Sequence, residues 1–455
     1  MIHDTRVRQL NDQPVRDAAD SKWVLYWMQA AQRTRCNHAL EFAIERANEL
    51  DLPVVCCFGL TDDYPEANAR HYAFMLQGLR DVDKNLSDRG IAFVCDKGSP
   101  SDVAVKWSED AAEVVVDMGY LRPCRKWRDE AADAMGVRLT QVETGVVVPV
   151  EEVSDKREYA ARTIRTKLHK KWDDYFVGLD ERKVKHVCDG RLASGELDVS
   201  KPEEVLESLK VDRDVPPSSH FEGGEDEAKR RLDAFLKDKL DGYADGRNEP
   251  SADKHSHMSM YLHFGQIAAL EVALAVKQTK ANDDTDSYLE ELIVRRELGK
   301  NYVWFEPEYD SYDALADWAK KTLDEHRDDN RPSRYTRDEL EQAETHDPYW
   351  NAAMRQLRKT GFMHNYMRMY WGKKVLEWCN TPEYAYETLL YLNNRWLIDG
   401  RDPNSYSNVA WVFGLHDRPW TERSIFGKIR YMNDKGLERK FDMQAYIRQV
   451  DALDG

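Results

Sequence analysis

The sequence lacks the signatures of several large protein classes. No apolar run approaches the roughly 18 residues of a membrane-spanning helix, and the mean hydropathy of −0.74 argues against a membrane protein. The segment from Met1 to Pro14 is polar and carries both charge signs, so we expect neither a signal peptide nor a lipidation site. The seven cysteines show no CxxC spacing, which predicts reduced thiols in a cytoplasmic protein.

Two nucleotide-binding loops are also missing. No GxGxxG follows the first apolar run and no GxxxxGK[ST] occurs, which argues against a dehydrogenase or a P-loop enzyme. Acidic residues outnumber basic ones by 83 to 66, for a net charge of −17. Taken alone, that balance argues against a surface coated in basic charge for nucleic acid.

Residues 20–150 alternate between short apolar runs and amphipathic stretches. Continuous apolar runs predict strands buried on both faces, and the intervening stretches predict helices, which together indicate a doubly wound parallel α/β sheet (Rossmann-like) over residues 1–150. The predicted strands are Trp23–Met28, Pro53–Phe58, Ile91–Cys95, Glu113–Asp117 and Val137–Val142, and the predicted helices are Asn37–Leu50, Ala69–Asp88 and Trp127–Met135. A ligand would sit at the carboxyl ends of the strands, and a domain that only scaffolds is the alternative.

The alternation stops after residue 150. Residues 151–224 are charged and end in a Pro- and Gly-containing stretch, which predicts an interdomain linker with some helix near Glu158–Phe176. From Glu225 onward apolar residues recur at intervals of three and four, and no strand pattern is left. A chain of 455 residues is expected to form two or three domains, and we predict that the last is all-helical, over residues 225–455.

Basic residues are concentrated in two segments of the helical half. Residues 351–374 contain six bases and no acid, and residues 416–440 contain seven bases against four acids. Because salt screens charges beyond about 10 Å, an acidic chain can still present a locally basic face to DNA. Ordinary solvated helix faces are the alternative for either segment alone.

A row of large side chains lies on one predicted helix face. The row consists of Arg368, Trp371, Val375 and Trp378. The last three lie three, seven and ten positions after Arg368, which places all four on the same face of a helix. Core packing is the usual meaning of such a stripe, and the alternative is a set of stacked indoles that relays electrons to a redox cofactor. Trp350 and Trp411 are further aromatic candidates that the sequence alone does not position.

Loop motifs complete the pattern. Tyr243–Pro250 and His255–Gly265 place hydroxyls and backbone N–H groups before a helix, where they could hold a phosphate, although Ser259 could equally be an N-cap. Two longer blocks, residues 347–369 and 392–411, are rich in Asn, Arg and Trp.

These blocks resemble the photolyase/cryptochrome flavoproteins, from about Lys22 to Ile447. The run MRQLRKTGFMHNYMRM (residues 354–369) carries the resemblance most specifically. RMYWGKK (368–374), DGRDPN (399–404) and the segment from His416 to Met432 resemble the class II cyclobutane-dimer photolyases. The resemblance implies an N-terminal α/β domain, a helical domain that holds FAD, and blue-light repair of cyclobutane pyrimidine dimers (CPDs) in UV-damaged DNA.

The resemblance also implies roles, position by position. The FAD-binding residues would be Tyr243, His255, Ser256, His257, Met258, Ser259, Asn365, Arg368, Asp399 and Arg401. The catalytic residues would be Glu291 beside the dimer, Met369 and Trp411 against the damaged bases, and Asn393 at flavin N5. The electron-transfer chain would be Trp371, Trp350 and Trp378. Arg418 and Arg430 would fill the gap that a flipped lesion leaves in the DNA, and no metal site is implied.

The chemistry explains why these residue types are needed. A dimer splits after it gains one electron, so the donor must be a photoexcited, fully reduced flavin, whose anionic form Arg368 and Arg401 would favour. Glu291, if protonated, could hydrogen-bond a thymine carbonyl, and the amide of Asn393 could rotate to suit different flavin redox states. Flipping the dimer out costs on the order of a few kcal/mol, which the two arginines would offset.

Several expectations stay open at this level. A cryptochrome-like photoreceptor without repair activity and a (6-4) photoproduct repair enzyme are the alternatives, and the second would need histidines in the lesion pocket. A second, antenna chromophore could be a deazaflavin, a folate or absent. We expect a monomer, associated with the nucleoid when on DNA and not with a membrane. His255, His257 and Met260 depart from the family's phosphate loop, and Val294 stands where many relatives have a Trp of the lesion pocket.

Overall fold

The computed structural model describes residues 2–188 and 192–453. Met1, residues 189–191 of the predicted linker and residues 454–455 at the end of the predicted helical domain lie outside it. The first half forms a six-stranded sheet of order β1-β6-β5-β2-β3-β4, parallel except for β1, which pairs antiparallel with β6. The strands are β1 Val7–Gln9, β2 Trp23–Trp27, β3 Val54–Leu60, β4 Ala92–Lys97, β5 Ala111–Asp117 and β6 Arg138–Val142.

Four helices cover the two faces of this sheet. They are α1 His38–Leu50, α2 Ala69–Asp88, α3 Pro100–Ser108 and α4 Arg122–Ala134. Helix α1 begins where predicted because the Asn37 side chain accepts hydrogen bonds from the N–H groups of Ala39 and Leu40. The predicted α/β fold class is confirmed, and all five predicted strands are present. Strand β1 and helix α3 were not predicted, since β1 has only three residues and its pattern is mostly polar.

The strand order creates a switch point beside β2. The connections through α1 and α2 lead from β2 to β3 and β4, whereas the chain then returns to the other side of β2 as β5. At the carboxyl end of β5 the buried Asp117 accepts hydrogen bonds from the N–H groups of Gln29, Ala30 and Ala31, at 2.7, 2.7 and 3.0 Å. This fixes the loop after β2 at the place where doubly wound sheets bind ligands.

The rest of the described chain is helical. Residues 143–224 carry α5 Val150–Val153, α6 Ala161–Tyr175 and α7 Pro202–Ser208. The later helices are α8 Glu225–Asp238, α9 Tyr243–Gly246, α10 Ser259–His263, α11 Ala269–Lys277, α12 Asp283–Leu289, α13 Arg296–Phe305, α14 Asp317–Glu325, α15 Arg337–Glu341, α16 Pro348–Thr360, α17 Asn365–Trp378, α18 Pro382–Trp396, α19 Pro403–Val412, α20 Asp434–Glu438 and α21 Met443–Asp451. A π-helical turn, Glu290–Arg295, joins α12 to α13. The boundaries 1–150, 151–224 and 225–455 stay a prediction.

Buried polar contacts join the sheet to the helical half. Glu225, at the start of α8, accepts hydrogen bonds from the backbone N–H of Thr34 at 2.8 Å and of Arg35 at 3.0 Å. Arg33 donates to the carbonyls of Gly265 and Thr144 at 3.1 and 2.9 Å. None of the helices within residues 2–188 and 192–453 is long and apolar enough to cross a membrane.

Candidate flavin and lesion site

A cavity of about 1530 Å³, open to solvent, lies among the helices of the second half. Residues from separate stretches of sequence line it, since α9, the loop before α10, the π-helical turn, α17, α18 and α19 converge there. The predicted site residues that line it are Tyr243, His255, Ser256, His257, Met258, Ser259, Glu291, Asn365, Arg368, Trp371, Asn393 and Asp399. The structure therefore brings most of the predicted set together at one place.

The loop before α10 is shaped by its own contacts. Ser256 Oγ accepts from the backbone N–H of Met258 at 3.3 Å and lies 3.0 Å from the Tyr288 hydroxyl. His257 takes a left-handed backbone conformation (φ +55°), and its Nε2 lies 3.8 Å from Asp253 Oδ1. Burial, and then the charge of His364, lowers the pKa of His255 to about 2. This histidine therefore lines the cavity as a neutral ring.

Met260 and Val294, the other departures, are core residues. Met260 is 1% exposed and Val294 is fully buried, and neither lines the cavity. The side chain at position 294 consequently packs in the core and does not reach the cavity.

An ion pair between Arg368 and Asp399 lies in another part of the cavity wall. Arg368 Nη1 lies 3.1 Å from Asp399 Oδ2, and Arg368 Nε donates to the carbonyl of Met363 at 2.9 Å. Asn393 donates from its amide to Asn394 Oδ1 at 3.0 Å. Positive charge from Arg368 thus reaches the cavity, while Asp399 fixes its orientation.

Glu291 projects from the π-helical turn. Such turns are rare and are frequent at functional sites. Arg247 Nη2 lies 2.8 Å from Glu291 Oε1, so an arginine faces the carboxyl that the family resemblance places beside the dimer. Arg247 lies in the Tyr243–Pro250 motif, but its role was not predicted because nothing in the sequence connects it with residue 291.

Three tryptophans lead away from the cavity. Trp371 lines the cavity, its ring stacks on Trp350 at 6.3 Å between centroids and 17° between planes, and Trp350 meets Trp378 at 5.6 Å. Trp350 Nε1 also donates to the carbonyl of Trp371 at 3.0 Å. All three rings are buried, at most 3% exposed. The order from the cavity is therefore Trp371, Trp350, Trp378.

The predicted DNA-facing residues surround a second aromatic group. Arg430 Nε lies 3.0 Å from Asp417 Oδ2, and its guanidinium lies 4.3 Å from the ring centroid of Trp420 and 5.5 Å from that of Trp411. Arg418 is exposed and lies 5.2 Å from the Trp420 ring. Met369 and Trp411 are half-buried and do not line the cavity, but each is next in sequence to a lining residue, Arg368 and Val412.

The two basic segments differ in exposure. In residues 416–440 the exposed bases are Arg418, Arg423, Lys428, Lys435, Arg439 and Lys440, whereas none of the six bases of residues 351–374 is exposed. Lys373 and Lys374 are buried, and Arg355 pairs with Asp451 at 3.0 Å. A basic DNA-facing surface on residues 351–374 stays a prediction, and burial of two of its bases and the pairing of a third with an acid that is distant in sequence reduce the charge that this segment presents.

Lys373 is buried directly beneath Trp411. Its Nζ lies 4.8 Å from the Trp411 ring and donates to the carbonyl of Val412 at 2.5 Å. Burial lowers its pKa from 10.5 to about 7, an effect that Asp417 opposes and Arg430 reinforces. The ammonium form is therefore disfavoured in the folded protein.

Replacing Lys373 should change how stability depends on pH. Because folding lowers the pKa of Lys373, its burial lowers the free energy of unfolding most below pH 7. This destabilisation shrinks as the pH rises toward 10.5, where the unfolded chain also loses the proton. We expect the stability of Lys373→Met relative to wild type to fall by roughly 1–3 kcal/mol between pH 6 and pH 9. Urea unfolding at the two pH values measures this, and a difference independent of pH would contradict the assignment.

Arg401 lies outside the flavin cavity. Its Nη1 is 3.0 Å from both ring nitrogens of His71 and donates to the carbonyl of Asn394 at 3.0 Å. It lines a second cavity instead. This position does not support the predicted contact of Arg401 with the flavin. The sequence motif around Arg401 could not show which cavity its side chain faces.

The second cavity, of about 1260 Å³, lies at the switch point of the sheet. It is lined by the segments that follow β2 and β5 and by residues of the later, helical half that include His263, Arg296, Lys300 and Arg401. Burial lowers the pKa of Lys300 to about 8. Arg296 and Asp402 line both cavities, so the two spaces are separated by a shared wall.

Solved structures share this architecture. The cryptochrome of Synechocystis sp. PCC6803 matches with a TM-score of 0.72 at 17% identity, covering 94% of this chain and 88% of that one. A photolyase from Sulfolobus tokodaii, solved with two FAD molecules, matches with a TM-score of 0.69 at 16% identity, covering 94% and 89%. The fold is thus the one found in photolyases and cryptochromes.

Sequence comparison defines the family within that fold. Residues 24–183 match the model of DNA photolyase, and residues 288–450 match the FAD binding domain of DNA photolyase. The deoxyribodipyrimidine photo-lyase of Methanothermobacter thermautotrophicus is 48% identical over 454 residues, covering 100% of this chain and 99% of that protein. That of Oryza sativa is 39% identical, covering 95% and 88%. The chain belongs to the DNA photolyase family and carries its FAD-binding domain.

The residues of the first cavity fit FAD. Asp399 Oδ1 and Trp371 Nε1 belong to residues of the cavity lining and are buried polar atoms without a hydrogen-bond partner. Hydroxyls at Ser256 and Ser259 suit a phosphate, and the Arg368 guanidinium suits an anionic ring. Within residues 2–188 and 192–453, no cluster of three or more His, Cys, Asp or Glu side chains is arranged to hold a metal ion.

Proposed function

We propose that this protein is a class II deoxyribodipyrimidine photo-lyase, a carbon–carbon lyase that repairs CPDs in DNA under blue light. The observation that carries the proposal is the single cavity in which Glu291, Asn393, the Arg368–Asp399 pair and Trp371 all meet. Relatives of 48% and 39% identity carry that enzyme name, and the class II motifs of residues 368–374 and 399–404 line or adjoin the same cavity.

The cofactor and the protein divide the work. A bound, reduced flavin supplies the photoexcited electron that opens the cyclobutane ring. The protein's residues bind, orient and tune charge: Ser256 and Ser259 hold the phosphates, and Arg368, fixed by Asp399, favours an anionic ring. Asn393 offers an amide that can present either its oxygen or its nitrogen.

The Arg247–Glu291 pair would serve the lesion. With Arg247 beside it, Glu291 is suited to accept a hydrogen bond from a pyrimidine ring N–H. Arg247 can in turn donate to the carbonyl where negative charge develops, which is a stabilising interaction for that charge. Met369 and Trp411 would pack against the damaged bases.

The DNA would be bound by the surface of residues 416–440. Its exposed bases suit a phosphate backbone, and Arg418 and Arg430 would fill the space that the flipped dimer vacates. A monomer would leave this surface free for the duplex.

Repair is tested directly with photoreduced protein and DNA that contains a CPD. We expect dimer loss under blue light and none in the dark, and Glu291→Ala should slow repair by roughly tenfold to a hundredfold, the effect of losing one hydrogen bond to a charged group. The matched control is Glu290→Ala, because Glu290 pairs with Arg165 and Arg295 rather than lining the cavity. Flavin binding without repair would instead indicate a photoreceptor, and repair only of (6-4) photoproducts would indicate the other lesion class.

The second cavity is proposed as an antenna site. It combines apolar walls such as Met75 and Ile267 with the cationic groups of Arg296 and Lys300, which suits a planar chromophore with an acidic group, and both a deazaflavin and a folate meet that description. An absorption spectrum of the native protein, with any band beyond that of the flavin, distinguishes an occupied antenna site from an empty one.

A further inference from the structure

The three stacked or adjoining indoles, called the tryptophan row from here on, are followed by a tyrosine–histidine pair. The row consists of Trp371, Trp350 and Trp378, in order from the cavity. The ring of Tyr335 lies 5.2 Å from that of Trp378, and the ring of His346 lies 5.4 Å from it. These distances are shorter than the 5.6 Å between Trp378 and Trp350. Trp378 is buried, Tyr335 is half-buried and His346 is exposed, so the pair connects the buried row with solvent.

Hydrogen bonds give the tyrosine hydroxyl a defined direction. The phenol oxygen lies 2.6 Å from His346 Nδ1 and accepts a hydrogen bond from the backbone N–H of His346 at 2.9 Å. Because the backbone already supplies a proton to the phenol oxygen, the hydroxyl hydrogen of Tyr335 is free to point at Nδ1. His346 then carries its own hydrogen on Nε2.

The loop that carries His346 is anchored to the helix that carries Trp350. Asn351, in α16, accepts from the N–H of Thr345 at 3.1 Å and donates from its amide to the Thr345 carbonyl at 2.7 Å. Asp347 caps α16 by accepting from the N–H groups of Tyr349 and Trp350 at 3.0 Å each. The position of His346 relative to the row is therefore set by regular structure.

We propose that Tyr335 is the terminal electron donor of the tryptophan row and that His346 accepts the proton this oxidation releases. The step follows light-driven oxidation of the row and so rests on the proposed function. One electron passes from Tyr335 to the oxidised Trp378, which becomes neutral tryptophan. The phenol O–H bond breaks, its proton forms an N–H bond at His346 Nδ1, and a neutral tyrosyl radical and an imidazolium remain.

This arrangement retains the electron that the row delivers. An oxidised tryptophan can recombine with the reduced flavin when the electron alone returns to it. After the proton has moved to His346, return requires the electron and the proton together, and an exposed imidazolium exchanges its proton with water. The Tyr335–His346 pair thus makes the separation of charge last.

Flash photolysis of the FAD-loaded protein tests the proposal. In wild type we expect the signal of oxidised tryptophan to be replaced by that of a neutral tyrosyl radical, more slowly in D2O than in H2O. Tyr335→Phe should abolish the tyrosyl signal and shorten the life of the separated charges several-fold, and His346→Gln should reduce the tyrosyl yield. Tyr391→Phe is the matched control, since Tyr391 is half-buried in α18 and hydrogen-bonds Glu341.

The outcomes separate this inference from the proposed function. If oxidised tryptophan forms but behaves alike in wild type, Tyr335→Phe and Tyr391→Phe, the terminal pair is refuted and the row stands. If no oxidised tryptophan forms in wild type, the proposed electron transfer along the tryptophan row is refuted. The proposed role of the Tyr335–His346 pair is then refuted as well. Nitrogen NMR of His346 gives a reading without light, since a proton on Nδ1 instead of Nε2 would also refute the predicted acceptor.

Discussion

Trp371→Phe is expected to reduce photoreduction of the bound flavin to a small fraction of the wild-type rate while leaving repair by chemically reduced enzyme intact. Of the three indoles of the row, Trp371 is the one that lines the cavity, and Trp350 is reached through it at 6.3 Å. Phenylalanine keeps the apolar packing but is much harder to oxidise than an indole. The effect is large because the substitution removes the indole from which the flavin would take its electron directly.

Two measurements keep that result specific. Bleaching of the flavin under blue light with an external reductant reports photoreduction, and dimer loss after dithionite reduction reports repair. Trp107→Phe, in the α/β half, is the control, because Trp107 donates to Asp96 far from the cavity lining. Photoreduction at the wild-type rate in Trp371→Phe would show that electrons reach the flavin by another route.

The α/β half was predictable because its signals are local. Continuous apolar runs such as Val114–Val116 can be satisfied only in a sheet covered on both faces, and Asn37 marks a helix start directly. Helix α4 begins at Arg122, five residues before the predicted start at Trp127. Strand β1 escaped prediction because its pairing with β6 is what makes Val7–Gln9 a strand. That pairing joins residues about 130 positions apart, and the segment itself carries no periodicity.

The site was predictable in membership more than in geometry. The family resemblance identified Arg368 and Asp399 as flavin-site residues, and the structure joins them at 3.1 Å. The sequence could not show that Arg401, two residues after Asp399, faces the other cavity, because a backbone with φ +63° at Arg401 redirects its side chain. The Arg247–Glu291 pair and the Tyr335–His346 pair escaped for the same reason, since each joins separate stretches of chain.

Net charge was a poor guide for a related reason. The acid-free segment 351–374 suggested a basic surface, yet Lys373 is 0% exposed and its ammonium form is disfavoured. The segment with more acids, residues 416–440, is the one that exposes its bases. Exposure, which depends on packing, decides which charges reach DNA, and the counts of acids and bases in a segment do not.

Arg70→Met is expected to lower the free energy of unfolding by roughly 3–5 kcal/mol, because each buried carbonyl left without a donor costs roughly 1–3 kcal/mol. Arg70 lies in α2 and is 2% exposed, and its guanidinium donates to four carbonyls of the later chain. These are Pro216 at 3.0 Å, Leu357 at 3.3 Å, Trp396 at 3.0 Å and Arg358 at 2.7 Å.

The matched control lies on the same helix. Arg80→Met removes ion pairs with Asp81 and Glu222 at 3.3 and 3.2 Å, but that side chain is 38% exposed, and we expect a change within about 0.5 kcal/mol. Urea unfolding followed by circular dichroism and by flavin fluorescence measures both variants. Equal stability of Arg70→Met and Arg80→Met would contradict the assigned role.

Arg70 also bears on how the two halves unfold. Its contacts at Leu357 and Trp396 are on α16 and α18, the helices that carry Trp350, which stacks on Trp371, and Asn393, which lines the flavin cavity. With these contacts in place, loss of the sheet removes support from the cavity, so we expect the two probes to report coincident transitions in wild type, and coincidence of probes is the test of cooperative unfolding. In Arg70→Met the flavin signal should be lost at a different urea concentration from the helical signal, because fewer buried contacts, such as those of Arg33 and Glu225, then join the sheet to the helical half.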